Sequence, residues 1–402
     1  MMPCQEHQII ELREYQAESF ESILFSHEFG DSLWRNYKNV IDIDFPSPKT
    51  DGNWKLMSKG WVGHIPLAKN LSIALKPKVE LTNIFRMLEY AYRLKSFKFL
   101  DGITECKSLD DFYEQLAKML ALRILDRSRK GYYREYIPEN ERLPYVRGQL
   151  DIKSAINRPW NVKLKCRYED HTANIPDNQI LLWTLYRIAQ SGRCTDNSLP
   201  VIRRSFRSLQ GFSYLIPCNS TSCKGRIYNR LNDDYKSLHA LCAFFLEQEG
   251  PSHELGSHLM LPFLINMSRL YELFVAEWLK KNLPSNILLQ YQESVSIGND
   301  NNISFNIDMV LYDAVTAKTI CVIDTKYKSA TSPSPADIAQ VVTYSEVKES
   351  SNAVLVYPQK LIESIDEKIG DNKIRNLVFS LDGDLEVNGQ KFLDDLLGFL
   401  KV

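Results

Sequence analysis

The spacing of hydrophobic residues changes along this chain, and each change predicts a different kind of element. Over the first eighty residues it is two: Leu71, Ile73 and Leu75 alternate with small or polar positions until Pro77 ends the run. Gly60-Trp61-Val62-Gly63-His64-Ile65-Pro66 is another short apolar stretch bounded by turn formers. Alternation closed by turn residues predicts strands, so 1–80 is read as a β-rich N-terminal domain. From Leu81 the interval becomes three and four. Ile84, Phe85, Leu88 and Tyr92, then Phe112, Leu116, Met119, Leu120 and Ile124, lay apolar stripes along helices. Helices are also predicted over 178–190, where Ile180, Leu181, Leu185 and Ile188 share a face, and over 238–246. The stretch 247–256 combines charge with Gly and Pro and marks a boundary, which leaves 81–250 as a mainly helical middle domain.

The remainder, 251–402, opens with a helix whose broad apolar face is Met267, Leu270, Tyr271, Phe274, Val275, Trp278 and Leu279. Strands are predicted near 288–295, over 304–312 and over 319–327, then a helix over 335–347 and a strand over 353–357. The order is α-β-β-β-α-β, and the whole chain is expected to be a multidomain α/β protein. Its 402 residues exceed one ordinary core.

Composition narrows the function classes only a little. A hydrophobic fraction of 44% with 25% charged residues is that of a soluble globular protein, and no apolar run approaches the roughly 20 residues of a membrane span. Met1-Met2-Pro3-Cys4-Gln5-Glu6-His7 lacks the basic-then-apolar pattern of a secretory signal, so a cytoplasmic location and no membrane partner are expected. The eight cysteines show no zinc-finger spacing, Cys218 and Cys223 being the nearest to a pair, and are expected to be reduced thiols. A net charge of -1 advertises no nucleic acid, so any DNA contact must come from local clusters such as Arg203, Arg204 and Arg207, or Lys163, Lys165 and Arg167. Those clusters have an ordinary alternative as solvated faces.

Chemistry gathers in the last third. Triplets of carboxylate, any residue and lysine occur at Asp151, Asp234, Glu346 and Asp371, where they read as solvated charges. Asp324-Thr325-Lys326 differs, because it ends the apolar strand Ile320-Cys321-Val322-Ile323 and period two puts Asp324 and Lys326 on one face. The preceding strand carries Asp308. A hairpin symmetric about Thr316 sets Asp308 opposite Asp324, with β-carbons about 4.5 to 5.5 Å apart. Two carboxylates that close call for a cation between them. Mg²⁺, or Mn²⁺ in its place, fits, with the Thr325 backbone carbonyl as a further ligand and Lys326 neutralising a phosphate under attack. Glu272, on the helix that opens the domain, is a candidate additional carboxylate; Gln340 and Tyr344, four apart on the following helix, share one face, able to touch either a nucleic-acid backbone or the catalytic shell. The alternative is an exposed strand whose aspartates pair with Lys326.

At these residues the domain resembles the PD-(D/E)xK nuclease superfamily, and its RecB-like branch in particular, whose Gln-x-x-x-Tyr motif is matched by Gln340-Val-Val-Thr-Tyr344. The resemblance implies Asp308 and Asp324 as metal ligands, Lys326 as the catalytic lysine and Glu272 as the helix acid. Further stretches, among them Asn83-Ile-Phe-Arg-Met-Leu-Glu-Tyr90, Val146-Arg147-Gly148-Gln149-Leu150-Asp151, Asn174-Ile-Pro-Asp-Asn178, Leu270-Tyr-Glu-Leu-Phe-Val275 and Val322-Ile-Asp-Thr-Lys-Tyr-Lys328, resemble the McrC family, the nuclease subunit of McrBC-type systems that restrict DNA with modified cytosine. Asn306-Ile307 departs from the arginine-proline lead expected before the metal aspartate, which puts neighbouring phosphate contacts in question. The resemblance implies a Mg²⁺-dependent endonuclease acting on double-stranded DNA and partnered by a McrB-like AAA+ GTPase ring, with the N-terminal and helical regions docking on the ring. GTP then belongs to the partner, since this chain has no Gly-x-x-x-x-Gly-Lys-Ser/Thr loop. A stand-alone RecB-like repair nuclease and an inactive scaffold that activates the motor remain open beside it.

Overall fold

The computed structural model describes residues 8–68, 71–92, 108–248, 253–255, 258–260, 263–297, 303–328 and 330–400. The first stretch runs β1 (Gln8–Arg13), β2 (Ala17–Phe20), α1 (His27–Tyr37), β3 (Ile41–Asp44), β4 (Trp54–Ser58), β5 (Trp61–Ala68), β6 (Leu71–Lys76) and α2 (Leu81–Ala91). Next come α3 (Leu109–Lys130), β7 (Glu135–Leu143), β8 (Gln149–Leu150), α4 (Ile152–Asn157), β9 (Leu164–Thr172), α5 (Pro176–Gln190), α6 (Leu199–Gln210) and α7 (Asp233–Glu247). The last stretch is β10 (His253–Leu255), β11 (His258–Met260), β12 (Phe263–Asn266), α8 (Met267–Asn282), β13 (Ile287–Ile297), β14 (Ile303–Asp313), β15 (Thr319–Thr325), α9 (Pro335–Val347), β16 (Asn352–Tyr357), β17 (Asp366–Ile369), β18 (Asn372–Val378) and α10 (Leu385–Leu400). The protein is mixed α/β, and no described helix is long and apolar enough to cross a membrane.

Breaks of pattern near 80 and 250 divide the sequence, but in space the chain gathers into two compact units, 1–109 with 248–402 and 110–247. The second unit combines α3, α5, α6 and α7 with a small sheet of order β7-β9-β8. Its helices bury the stripe of Phe112, Leu116, Leu120 and Ile124 and that of Ile180, Leu181 and Leu185. Period three and four marked these residues as a core face, and burying them supplies the unit's stability at about 25 cal/mol per Å² of apolar surface.

In the first unit the N-terminal sheet has the order β1-β6-β5-β12, so its last strand comes from residues two hundred positions later. It shares a core with the sheet β2-β4-β3 through Leu12, Ile41, Trp54, Leu56, Ile65, Ile73 and Leu264. Strand β12 leads directly into α8, which Asn266 caps by accepting from Arg269 N. A larger sheet follows, β13-β14-β15-β16-β18-β17, antiparallel as far as β15 and parallel from β15 through β16 to β18. Val310, Val322, Leu355, Tyr357 and Ile374 pack against Val341 and Tyr344 of α9. Trp278 of α8 and Phe392 of α10 close on Phe379 with centroids 5.3 and 5.2 Å away. Gly389 permits this closeness, because a Cβ there would overlap the Trp278 indole.

The expected order α-β-β-β-α-β is present from α8 to β16, and α9 has the bounds read from the sequence. The strand expected to reach Tyr327 stops at Thr325; Lys326 N still bonds Val356 O at 2.8 Å, and Lys328 N then turns back onto Lys326 O at 3.0 Å.

Candidate functional site

The hairpin of β14 and β15 sets Met309 opposite Ile323 and Val310 opposite Val322. Carried one step further, the same register sets Asp308 opposite Asp324. Asp313 builds the turn, its Oδ1 accepting from Val315 N, Thr316 N and Thr316 Oγ1 at 3.0, 2.7 and 2.9 Å. At the turn Tyr312 faces Thr319, and a bulge between Leu311 and Tyr312 shifts the pairing by one to the register that runs toward the aspartates.

Asp308 Oδ2 accepts from both Thr325 N and Thr325 Oγ1, at 2.9 and 3.0 Å. Asp324 is 1% exposed, and the Lys326 ammonium lies 2.6 Å from its Oδ2. Oδ2 is shut from solvent, with that ammonium as its neighbour. Lys326 Nζ also donates to Gln340 Oε1 at 2.9 Å, and Gln340 Nε2 donates to Tyr344 Oη at 2.7 Å. Helix α9 is held in place for this by its own start, where Ser334 and Asp337 cap each other and Asp337 pairs with Lys328 at 2.5 Å. Asp308, Asp324, Thr325, Lys326, Gln340 and Tyr344 thus come together in one network. Glu272 stands at its margin: Gln292 Nε2 reaches Glu272 Oε1 at 3.3 Å, and no described hydrogen bond ties it to the aspartates.

The electrostatics are those of crowded acids. Burial first, and the Asp308 charge second, push the Asp324 carboxyl up to about 7 and the Glu272 carboxyl likewise to about 7. Asp308 is also raised by burial, although the two Thr325 bonds and Lys326 oppose the rise. Burial alone disfavours the Lys326 ammonium, but Asp324 outweighs it and holds the lysine above its ordinary value.

Two buried carboxylates on neighbouring strands, the charge of Asp308 raising Asp324, fit a hard divalent cation, which takes oxygen ligands and keeps several waters. Among the described residues no three His, Cys, Asp or Glu side chains converge as a ready cage. A cation here would rest on Asp308 and Asp324, with backbone, water or substrate oxygens completing it. Thr325, named from sequence for its carbonyl, has its peptide and hydroxyl fixed against Asp308.

Of the basic clusters, Arg203, Arg204 and Arg207 lie exposed on α6, whereas Lys165 of β9 pairs with Asp151 at 3.4 Å, and Arg167 of β9 and Lys163 just before that strand are exposed. Sequence reasoning missed Gln292, which the sheet register places opposite Asp308 with a left-handed φ of 49°. A polar residue inside an alternating strand gives no hint of that conformation.

Comparison with known proteins adds to this geometry. A family model described as McrBC 5-methylcytosine restriction system component matches residues 56–358, a span that holds every residue of the network. Over 219 residues the chain is 24% identical to the protein named Type IV methyl-directed restriction enzyme EcoKMcrBC of Escherichia coli (strain K12), covering 52% of this chain and 61% of that protein, less than two thirds of its length. In structure it resembles a chain of the half-complex from the tetradecameric assembly of Thermococcus gammatolerans McrB AAA+ hexamers with bound McrC, with a TM-score of 0.54 and 17% identity, over 97% of this chain and 100% of that one. At that identity the likeness is one of fold.

Proposed function

Because this chain belongs to the McrBC 5-methylcytosine restriction system component family, we propose that it is the nuclease subunit of a modification-dependent restriction system. Its C-terminal region would be a PD-(D/E)xK endonuclease that hydrolyses phosphodiester bonds in double-stranded DNA carrying modified cytosine. One observation carries this reading: opposed Asp308 and Asp324 share a buried corner with Lys326, which Gln340 and Tyr344 hold in place. A passive surface pair has no need of such support.

Mg²⁺ or Mn²⁺, when bound, would acidify a water and draw charge from a phosphate oxygen. Asp308 and Asp324 would hold it. Thr325 keeps Asp308 aimed by two bonds to a single oxygen, which leaves its other oxygen for a ligand. Lys326, kept protonated by Asp324, presents positive charge where a phosphate under in-line attack gains negative charge. Gln340 limits the swing of the Lys326 ammonium, and Tyr344 fixes which end of the Gln340 amide faces it. Glu272 would tune the charge of the site from its margin.

The partner in this reading is a McrB-like AAA+ GTPase ring that binds GTP and reads the modified base. The fold shared with a chain from the McrB and McrC assembly supports it, as does the lack of a phosphate-loop motif in this sequence. The test is cleavage of methylated and unmethylated plasmid by wild type and Asp308→Ala, with the AAA+ partner, GTP and Mg²⁺. Cleavage that needs methylation, GTP and Asp308 is the expected result. Complex formation with no cleavage in any combination would replace the nuclease by a regulatory scaffold.

A further inference from the structure

The N-terminal sheet reaches the segment that follows Lys326. Strand β1 ends at Arg13, and the next residue, Glu14, is only 4% exposed. Its Oε2 accepts from the Tyr327 hydroxyl at 3.1 Å and from Lys78 N at 3.0 Å, while its Oε1 is buried with no hydrogen-bond partner. The Tyr15 hydroxyl donates to the Tyr327 carbonyl at 3.1 Å and also meets Ser268 in the first turn of α8. The Lys78 ammonium covers both rings, 5.2 Å from the Tyr15 centroid and 4.7 Å from that of Tyr327.

This contact is an expensive way to join two sheets. Tyr15 has a left-handed φ of 57°, and Gly60, at φ 75°, lies so close to it that a Cβ there would overlap the tyrosine hydroxyl. A buried carboxylate, a strained tyrosine and a glycine without room for a side chain all disfavour the fold, where a few apolar residues would have joined the sheets more stably. What they secure is one peptide, that of Tyr327. On its other side Lys326 is pinned to β16 through Val356 O at 2.8 Å. The Lys326 backbone is therefore gripped by the larger sheet before it and by the N-terminal sheet after it.

We propose that Glu14, Tyr15 and Tyr327 are positioning residues of the nuclease centre, fixing the chain after Lys326 so that its ammonium stays on Asp324 and Gln340. The N-terminal sheet is then a working part of that centre as well as its neighbour. This rests on the reading of Asp308, Asp324 and Lys326 as the centre.

The experiment uses the full chain with its AAA+ partner. Tyr15→Phe and Glu14→Ala should each lower the single-turnover cleavage rate about tenfold, the scale set by small misplacements of catalytic groups, with Mn²⁺ and DNA affinities unchanged. Glu14→Gln, which keeps an acceptor for the Tyr327 hydroxyl, should recover most of the rate. In the metal-free protein, hydrogen exchange of the peptide 322–328 should quicken in Tyr15→Phe. Ile43→Ala, which loosens the N-terminal core elsewhere, should lower Tm and leave both the exchange of 322–328 and the rate per folded molecule unchanged. Wild-type rate and exchange in Tyr15→Phe and Glu14→Ala would overturn the proposal while Asp324→Ala remained inactive. If wild type itself does not cut, the nuclease reading fails, and the exchange of 322–328 still decides whether Tyr15 fixes the segment.

Discussion

Thr325 directs both its backbone N–H and its hydroxyl at one oxygen of Asp308, at 2.9 and 3.0 Å, across the two strands of a single hairpin. A carboxylate held by two donors has little freedom to turn, and its second oxygen is left for other work. Thr325→Val keeps the shape and the strand preference and removes only the hydroxyl. A hydrogen bond to a charged group contributes about 1.5 to 3 kcal/mol, so cleavage is expected to fall about tenfold, with Tm within a few degrees of wild type. Asp308→Ala should leave no cleavage. Equal activity in all three proteins would remove Asp308 from the site.

Asp324 should show a conflict between stability and activity. Its carboxyl, pushed up to about 7 chiefly by burial and then by Asp308, binds a proton more tightly in the folded chain than in the unfolded one. The stabilisation from that proton is complete below the ordinary value of about 3.9 and is lost as pH rises through about 7. In chelator, wild type should therefore lose Tm relative to Asp324→Asn between pH 4 and pH 8, and the difference should flatten above that range. Added Mg²⁺ should protect wild type alone at pH 8, while the variant's cleavage stays at background. Parallel Tm profiles for the two proteins would show that this carboxyl carries no such penalty.

Gln340 and Tyr344 act through Lys326 in this geometry, which separates their expected effects from those of the aspartates. Gln340→Ala removes the acceptor at 2.9 Å from Lys326 Nζ and should lower kcat by roughly tenfold to a hundredfold. Tyr344→Phe leaves the amide in place but free to turn, and should cost less than tenfold. Metal affinity, read by titration calorimetry with Mn²⁺, should stay at the wild-type value in both. A weakened metal in Gln340→Ala would move that residue from the lysine to the cation.

Glu272 is bonded to Gln292 and is coupled to Asp308 by charge alone. Glu272→Gln removes a negative charge beside the metal position while preserving the amide contact. Mn²⁺ affinity should drop by no more than about tenfold, a second-layer effect of the size seen when groups supporting metal ligands are changed. A complete loss of binding would make Glu272 a direct ligand.

The order of elements around the site was legible because each change in hydrophobic period coincides with a change in structure. A hairpin symmetric about Thr316 pairs Val310 with Val322, as observed, but the bulge between Leu311 and Tyr312 that makes this pairing compatible with a tighter turn left no mark in the sequence. Strand β7 was not legible: its residues Glu135 to Leu143 are largely exposed, so no apolar alternation betrays them within a region otherwise read as helical. The last helix went unread although Leu385, Phe392, Leu393, Leu396 and Phe399 recur at helical intervals, while the exposed strand β17 offers no apolar alternation. The joining of the first and last stretches was also hidden, because bonds such as Asn83 Nδ2 to Leu381 O, at 2.8 Å, link residues 298 positions apart and leave no local mark. Glu14 illustrates this at the site itself, as one acid among fifty acidic residues until Tyr327 is placed above it.

Strand β5 pairs on one side with β6, which follows it at once, and on the other with β12, which begins about 200 residues later. At a synthesis rate of about 5 to 20 residues per second, the ribosome would take about 10 to 40 seconds to deliver that neighbour. For that time the N-terminal sheet has an open edge while the whole of 110–247 emerges and can fold. Trp61 to His64, which β12 will pair, therefore form an unpaired strand edge in the nascent chain, the kind of edge that invites wrong pairing until β12 arrives.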